Sequence, residues 1–437
     1  MLSAFLTAFK TPDLRKKILF TLGILVVFRL GSTIPSPNVN TAAINTCAAK
    51  ATTGSQAGVY SMINLFSGGA LLQLSIFALG IMPYITSSII LQLLTVVIPR
   101  LEALKKEGAS GQQTITKYTR WLTIVLGLLQ ATSFTMLAVN GQLFRDCSEN
   151  LVHSTDIFPI VVMILTMTAG TSIIMWLGEL ITDRGIGNGM SVLIFTQIVA
   201  TFPSGMWNIR QSQSDVRTGT MVMLAVIAIG LLVMAGVLFV EQAQRRIPVQ
   251  YAKRMVGNRL MGGSSTYIPL KVNQAGVIPV IFASSILYLP VLFTMFKTDG
   301  PVADWIAANL ATGTGGWYSA IFFVLIIFFA YFYVSITFDP VEISDNMKKY
   351  GGFIPGVRAG KPTEKYLGYV LSRLTAPGSL YLAVIALIPA VAIMAFHADQ
   401  NFPFGGTSLL IMVGVGLDTV KQIESQLHQR HYEGFLK

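Results

Sequence analysis

The sequence predicts an all-α protein that crosses a membrane ten times. Composition points there first: of 437 residues, 53% are hydrophobic and 12% are charged, whereas an average soluble domain carries about 25% charge. A chain this poor in charge cannot cover itself with a water-facing shell. The mean hydropathy of +0.62 agrees. The pattern points there second, because the apolar residues form continuous runs rather than the short alternating segments of a membrane barrel. Soluble enzymes, fibrous chains and disordered chains are excluded.

A spanning helix needs about 20 mostly apolar residues. Runs of that kind lie near 18–34, 75–98, 121–139, 157–180, 190–206, 219–240, 275–296, 317–338, 374–396 and 405–421. The first follows Arg15, Lys16 and Lys17 as a secretory leader would. It is expected to stay in the membrane, since it is long and no clear small-residue cleavage site precedes the polar stretch. Loop charge sets the orientation. With a cytoplasmic N-terminus, the cytoplasmic segments hold 25 Lys and Arg and the external ones 5, with Arg29 inside span one. Both termini are therefore expected in the cytoplasm. Ten spans divide as five plus five near the polar segment 207–218, giving halves 1–212 and 213–437. An odd number of spans per half implies opposite topologies, the arrangement of inverted repeats.

Two expected cytoplasmic loops are too long to be connectors. The first, 241–273, carries Gln244-Arg245-Arg246-Ile247-Pro248 and Tyr251-Ala252-Lys253-Arg254, then a break at Gly262-Gly263 and a second partly alternating stretch. That pattern predicts a β-hairpin. The second, 339–373, contains Phe353-Ile354-Pro355-Gly356-Val357-Arg358, where Pro and Gly predict a projecting turn that stops a helix.

The chemistry of an enzyme or a coupled transporter is missing. Neither works in a bilayer without ionisable groups near the midplane, and here every such group inside a span lies toward an end. Gly414-Val415-Gly416-Leu417-Asp418 matches half an intramembrane aspartyl-protease site, with no second aspartate to complete it. No cofactor or metal is expected, since the four histidines are scattered. The only cysteines, Cys47 and Cys147, both fall in external segments. Paired thiols there tend to oxidise to a disulfide; the alternative is two cysteines whose Cα atoms lie beyond the reach of about 7 Å. The run Tyr60 to Leu72 is apolar but too short to cross, so it either enters the membrane buried against protein or lies on the surface.

The motifs Asn64-Leu65-Phe66-Ser67-Gly68-Gly69-Ala70, Ser75-Ile76-Phe77-Ala78-Leu79-Gly80-Ile81-Met82-Pro83-Tyr84-Ile85, Asp183-Arg184-Gly185-Ile186-Gly187-Asn188-Gly189 and Ala275-Gly276-Val277-Ile278-Pro279 occur in order along the chain. With the Gln244–Pro248 run and Phe404-Gly405-Gly406-Thr407-Ser408, they resemble the SecY family of bacterial protein-translocation channels. The resemblance implies a clamshell of two halves around an hourglass pore, closed by a short re-entrant plug helix over about 60–72. The plug residues would be Asn64, Phe66, Ser67, Gly68, Gly69 and Ala70. It implies a pore ring of Ile81, Ile85, Ile194, Ile281 and Ile411, and a lateral gate to lipid between spans two and seven. Polar residues near that seam are Thr86, Ser87, Ser88 and Gln92 against Asn273, Gln274, Ser284 and Ser285, expected to hydrogen-bond between helices.

The resemblance further implies docking of partners through Arg245, Arg246, Lys253, Arg254 and Arg358. Those partners are the membrane subunits SecE and SecG, the SecA ATPase or a translating ribosome, and unfolded preproteins, all in the cell membrane of a bacterium. With no Gly-x-x-x-x-Gly-Lys-Ser/Thr loop the chain holds no ATP site of its own. Two departures lie in the loops: Gln112 and Gln113 stand where the family usually has basic residues, and Ala359 where it usually has proline. The rival reading is an inverted-repeat secondary transporter, which predicts a midplane ionisable site that the sequence does not offer. A membrane scaffold is a third, which would need neither plug nor ring.

Overall fold

The computed structural model describes residues 9, 11–51, 67–141, 143–144, 147, 149–211, 216–251, 254–256, 259–261, 265–296, 300–301, 305–306, 309–310, 315–396 and 406–433. Its helices are α1 (Pro12–Thr33), α2 (Thr41–Ala51), α3 (Met82–Val97), α4 (Pro99–Lys106), α5 (Ala109–Val139), α6 (Ile157–Arg184), α7 (Gly189–Gln211), α8 (Val216–Gln242), α9 (Ile278–Phe296), α10 (Gly316–Thr337), α11 (Pro340–Lys349), α12 (Lys361–Phe396) and α13 (Gly406–Glu433). The strands are β1 (Gln244–Tyr251), β2 (Arg254–Val256), β3 (Arg259–Met261), β4 (Ser265–Lys271) and β5 (Gly352–Phe353).

Six helices among the described residues are long and apolar enough to cross a membrane, seven if α3 and α4 form one bent span. α1, α9 and α13 stand where the sequence places spans one, seven and ten, and fall short of that test. α1, α3, α5, α6 and α7 pack as neighbours, as do α8, α9, α10, α12 and α13. The two groups meet where α7 packs on α8 and α13, and where α3 packs on α9.

Span two departs from expectation. Its helix begins at Met82 rather than near 75, because Leu74 (φ 46°) and Gly80 (φ 56°) hold left-handed backbone that no helix accommodates. The residues from Gly68 to Ile81 form successive tight turns instead, closed by bonds such as Ala70 N–H to the Ser67 carbonyl and Gly80 N–H to the Phe77 carbonyl. Of the expected plug segment, Ser67 is helical and Gly68 to Leu72 are turns; Asn64 and Phe66 lie outside the described residues. At its far end α3 is broken by Pro99, and α4 leaves at 101°.

The two long loops form one small domain at the end of the bundle. β1 and β4 pair antiparallel from Gln244↔Lys271 to Gln250↔Ser265, and β2 pairs with β3 beyond them. β5, from the second loop, adds to β1 at Gln250↔Phe353 and Tyr251↔Gly352, giving the order β4-β1-β5. Alternation along β1 turns Ile247 and Val249 inward, where they join Leu270, Met347, Ile354, Leu367 and Val370 in a core of their own. The second loop is shorter than expected. Pro362 lies in the first turn of α12, where a missing N–H loses no bond. The projecting turn is confined to residues 350–360, with Gly351, Gly356 and Gly360 at positive φ.

The same end holds both chain ends of the bundle: Lys17 donates to Gln426 at 3.3 Å, and Lys271 lies 3.7 Å from Asp418. At the opposite end α2 is a helix that the sequence reading left unassigned, although Asn40 capping Ala43 N–H at 3.3 Å is a readable start signal. Here Cys47 and Cys147 are bonded, with Cα atoms 5.5 Å apart. The bond closes 100 residues, a loop for which chain entropy gives on the order of 4 kcal/mol. Alkylation without reductant followed by mass spectrometry should leave both cysteines unmodified, and reduction should expose both; alkylated Cys47 in the unreduced protein would contradict the bond.

Candidate constriction and seam

The centre of the bundle is an apolar cluster drawn from both groups of helices. Ile24 and Phe28 of α1, Ile174 and Ile181 of α6, Leu193, Ile194 and Ile198 of α7, and Ile411 of α13 are buried in it. Ile81, immediately before α3, is 1% exposed, and Ile85 and Ile281 pack against the same cluster half-buried. The five isoleucines named from the sequence therefore lie together, although they come from four segments far apart in the chain. In dispersed apolar helices nothing in the local sequence distinguishes these five from ordinary packing residues.

Directly beside them sits the turn segment. Ile76 N–H donates to the Ile34 carbonyl at 2.9 Å and Ser36 N–H to the Leu74 carbonyl at 3.0 Å, so residues 34–36 and 74–76 run as a short antiparallel pair. Phe77 stacks on Phe28 with ring centroids 5.9 Å apart. Two glycines make the close approach possible: a Cβ on Gly31 would meet the Phe77 ring at 2.1 Å, and one on Gly170 would meet the Ile76 carbonyl oxygen at 2.0 Å. Arg29 reaches from α1 and donates to the Gly68 carbonyl at 2.9 Å.

Along the seam between α3 and α9 the contact is apolar. Ile89 lies in one cluster with Val280, Ala283 and Leu287. The polar residues expected to bridge it do otherwise. Ser87 donates to the Pro83 carbonyl at 2.7 Å, Thr86 to Met82 and Ser284 to Ile281, each within its own helix. Asn273 donates to Glu241 and to the Gly276 carbonyl, which ties the entry of α9 to the end of α8 on its own side. Ser285 Oγ is buried with no partner among the described residues. Ser88 and Gln274 are half-buried, and Gln92 is exposed. For Thr86, Ser87 and Ser284 the physical reason is that a Ser or Thr hydroxyl in a helix reaches its own i−4 or i−3 carbonyl without help from a neighbour.

The basic candidates lie on the small sheet domain. Arg245 and Arg246 are exposed on β1, and Arg246 stacks over Tyr267 of β4 at 4.8 Å. Arg358 is exposed on the projecting turn, its carbonyl accepting from Thr363 at 2.8 Å. Arg254 opens β2, and Lys253 lies outside the described residues. Sequence reading missed that β5 brings the two basic loops onto one sheet, since a two-residue strand leaves no periodic signal.

The SecY family model matches residues 75–420. The chain is 62% identical over 440 residues to "Protein translocase subunit SecY" of Streptomyces scabiei, and 57% identical over 446 residues to the protein of that name from Mycobacterium bovis, with 100% of each chain covered in both cases. Among solved structures it resembles one described as "The structure of a protein conducting channel", with a TM-score of 0.63 and 18% identity over 94% of this chain and 91% of that one. At that identity the likeness is one of fold.

Since the seam is held by packing, Ile89→Ala should lower the thermal unfolding midpoint of the detergent-solubilised protein by several times the effect of Ser87→Ala. Equal shifts would mean that the Ser87 hydroxyl bonds across the seam.

Proposed function

The chain belongs to the SecY family of protein translocase subunits, and from that premise we propose that it works as a gated conduit of two hinged halves, 1–212 and 213–437. As a protein-conducting channel subunit it passes unfolded polypeptides across the membrane. Ten spans follow from the apolar runs, cytoplasmic termini from the loop-charge count, and a bacterial cell membrane from the family. The joining of Lys17 to Gln426 and of Lys271 to Asp418 supports the termini sharing one side.

The observation that carries the reading is the convergence of Ile81, Ile85, Ile194, Ile281 and Ile411 at one apolar cluster. A ring of aliphatic chains excludes water when it closes on itself, since a narrow apolar constriction dewets. It also moulds around a passing chain without selecting a sequence, because dispersion contacts carry no directionality. The segment around 60–72, of which Ser67, Gly68, Gly69 and Ala70 are described, serves as the plug beneath that ring.

Hydrophobic segments leave through the gate between α3 and α9. A seam of packed aliphatic side chains suits that role, because a hydrophobic segment replaces its contacts in kind. The channel is passive and no enzyme. SecA or a ribosome supplies the drive through Arg245, Arg246, Lys253, Arg254 and Arg358, and SecE and SecG complete the complex. The sheet order β4-β1-β5 supports a single docking surface built from both loops. The Cys47–Cys147 bond anchors α2, which precedes the plug in the chain, to the loop after α5 and so restricts how far the plug travels. A secondary transporter is disfavoured by the aliphatic character of the central cluster.

Vesicles holding the chain with SecE, supplied with SecA and ATP, should import a preprotein; no import would reject the reading. In the same vesicles Ile411→Asn or Ile281→Asn should raise ion leak and relax signal-sequence selectivity, because a buried polar group recruits water. Unchanged conductance and selectivity in both would remove these residues from the constriction. Arg358→Glu should abolish SecA-driven import while the protein still inserts, since guanidinium pairs bidentately with carboxylate and the reversed charge repels it. Import surviving Arg358→Glu would leave that turn a topology signal alone.

A further inference from the structure

Arg29, toward the outer end of α1, is the one charged residue of that helix beyond its first turns, and its environment explains it. A cation within a bilayer-spanning helix is costly and persists only where it faces the protein interior and finds partners. Arg29 finds the carbonyl of Gly68, 2.9 Å away, in a half-buried position. Gly68 is itself held from another side. Its φ of +62° is backbone that favours glycine, and a Cβ added there would sit 3.3 Å from both Cβ and Cγ of Gln197 on α7. Gln197 is 3% exposed, and neither amide atom has a hydrogen-bond partner among the described residues.

We propose that Arg29 and Gln197 form a latch on Gly68 that holds the plug seated: Arg29 grips its carbonyl while its bare α-carbon rests on the Gln197 side chain. The proposal rests on the reading of this segment as a plug. It identifies Arg29 as a positioning residue for channel closure. A hydrogen bond to a charged donor gains strength as the surroundings dry, because low dielectric raises the electrostatic attraction. When water or a polypeptide enters the vestibule, water solvates both the guanidinium and the carbonyl, and the latch weakens. Closure is thereby self-reinforcing in the dry state and easily undone in the wet one, a bistability that apolar packing alone does not supply.

The test uses vesicles containing the full chain with its membrane subunits. Two readouts apply: ion leak without substrate, and the labelling rate of Ala70→Cys by a membrane-impermeant thiol reagent. Loss of one charge-assisted hydrogen bond should raise both on the order of ten- to a hundredfold in Arg29→Met. Arg29→Lys, which keeps a cationic donor, should raise them far less. In a chain lacking residues 57–66, Arg29→Met should add no further leak. Labelling of Ala70→Cys at the same rate with and without Arg29→Met would overturn the latch. So would an equal increment of leak in the shortened chain, which would assign Arg29 to general support of the bundle. If instead the deletion itself leaves leak unchanged, the plug reading fails, and the labelling rates alone decide whether Arg29 holds this segment.

Discussion

Within lipid the backbone has no water to bond, so every N–H and C=O must find a partner inside the protein, and a chain that abandons the helix at that depth must be surrounded by protein that replaces the lost bonds. On the proposed reading, the turns from Gly68 to Ile81 are where this protein would meet that constraint. These turns close several bonds locally, residues 34–36 supply two more, and Arg29 supplies another. The neighbouring helices are shaped to fit. Gly31 on α1 and Gly170 on α6 remove side chains at the two points where Phe77 and the Ile76 carbonyl press against them. The apolar cluster then takes in Ile81, the N-cap residue from which regular helix begins at Met82.

The second organising feature is the bonding of the sheet domain to the spans. β1 continues from α8, and β4 leads through residues 272–277 into α9. The base of the hairpin is closed by Val272 N–H donating to the Ala243 carbonyl at 3.0 Å, and Asn273 then ties Glu241 to Gly276. Hairpin base, end of α8 and entry of α9 are thus bonded as one piece. A load applied at the exposed arginines is carried to the α9 side of the seam by hydrogen bonds, while the seam itself offers only packing. That asymmetry leaves the join between α3 and α9 to apolar packing alone among the described residues.

Much of this was legible in the sequence, and the failures share a cause. Long apolar runs gave the helices from α5 to α8 and α10 because a periodic burial requirement imprints itself on every residue. The hairpin was legible for the same reason, with Ile247 and Val249 alternating against exposed neighbours. What stayed hidden depends on contacts between distant segments. Nothing near Leu74 announces left-handed backbone, since its conformation is imposed by bonds to residues 34 and 36. Ser87 and Ser284 read as interhelical glue because composition cannot say which carbonyl a hydroxyl will choose. The five central isoleucines were reached through family resemblance alone, and the isolated strand β5 is too short to carry any pattern.

The two kinds of contact around the centre differ in how they fail, and this difference bears on how such a channel could be both tight and permissive. Aliphatic side chains such as Ile81, Ile194 and Ile411 lose little when one apolar neighbour is exchanged for another, so a cluster of them yields to any chain that brings its own apolar surface. Polar contacts on the turn segment behave oppositely. They are strong while the site is dry and are replaced by water once it is wet. A protein relying on aliphatic packing alone would open by degrees, and one relying on polar bonds alone would leave buried groups unsatisfied at each opening. On the proposed reading, placing Arg29 and Gly68 next to the isoleucine cluster would let the first water molecules to enter weaken what remains, so that opening would become cooperative without any residue changing its charge.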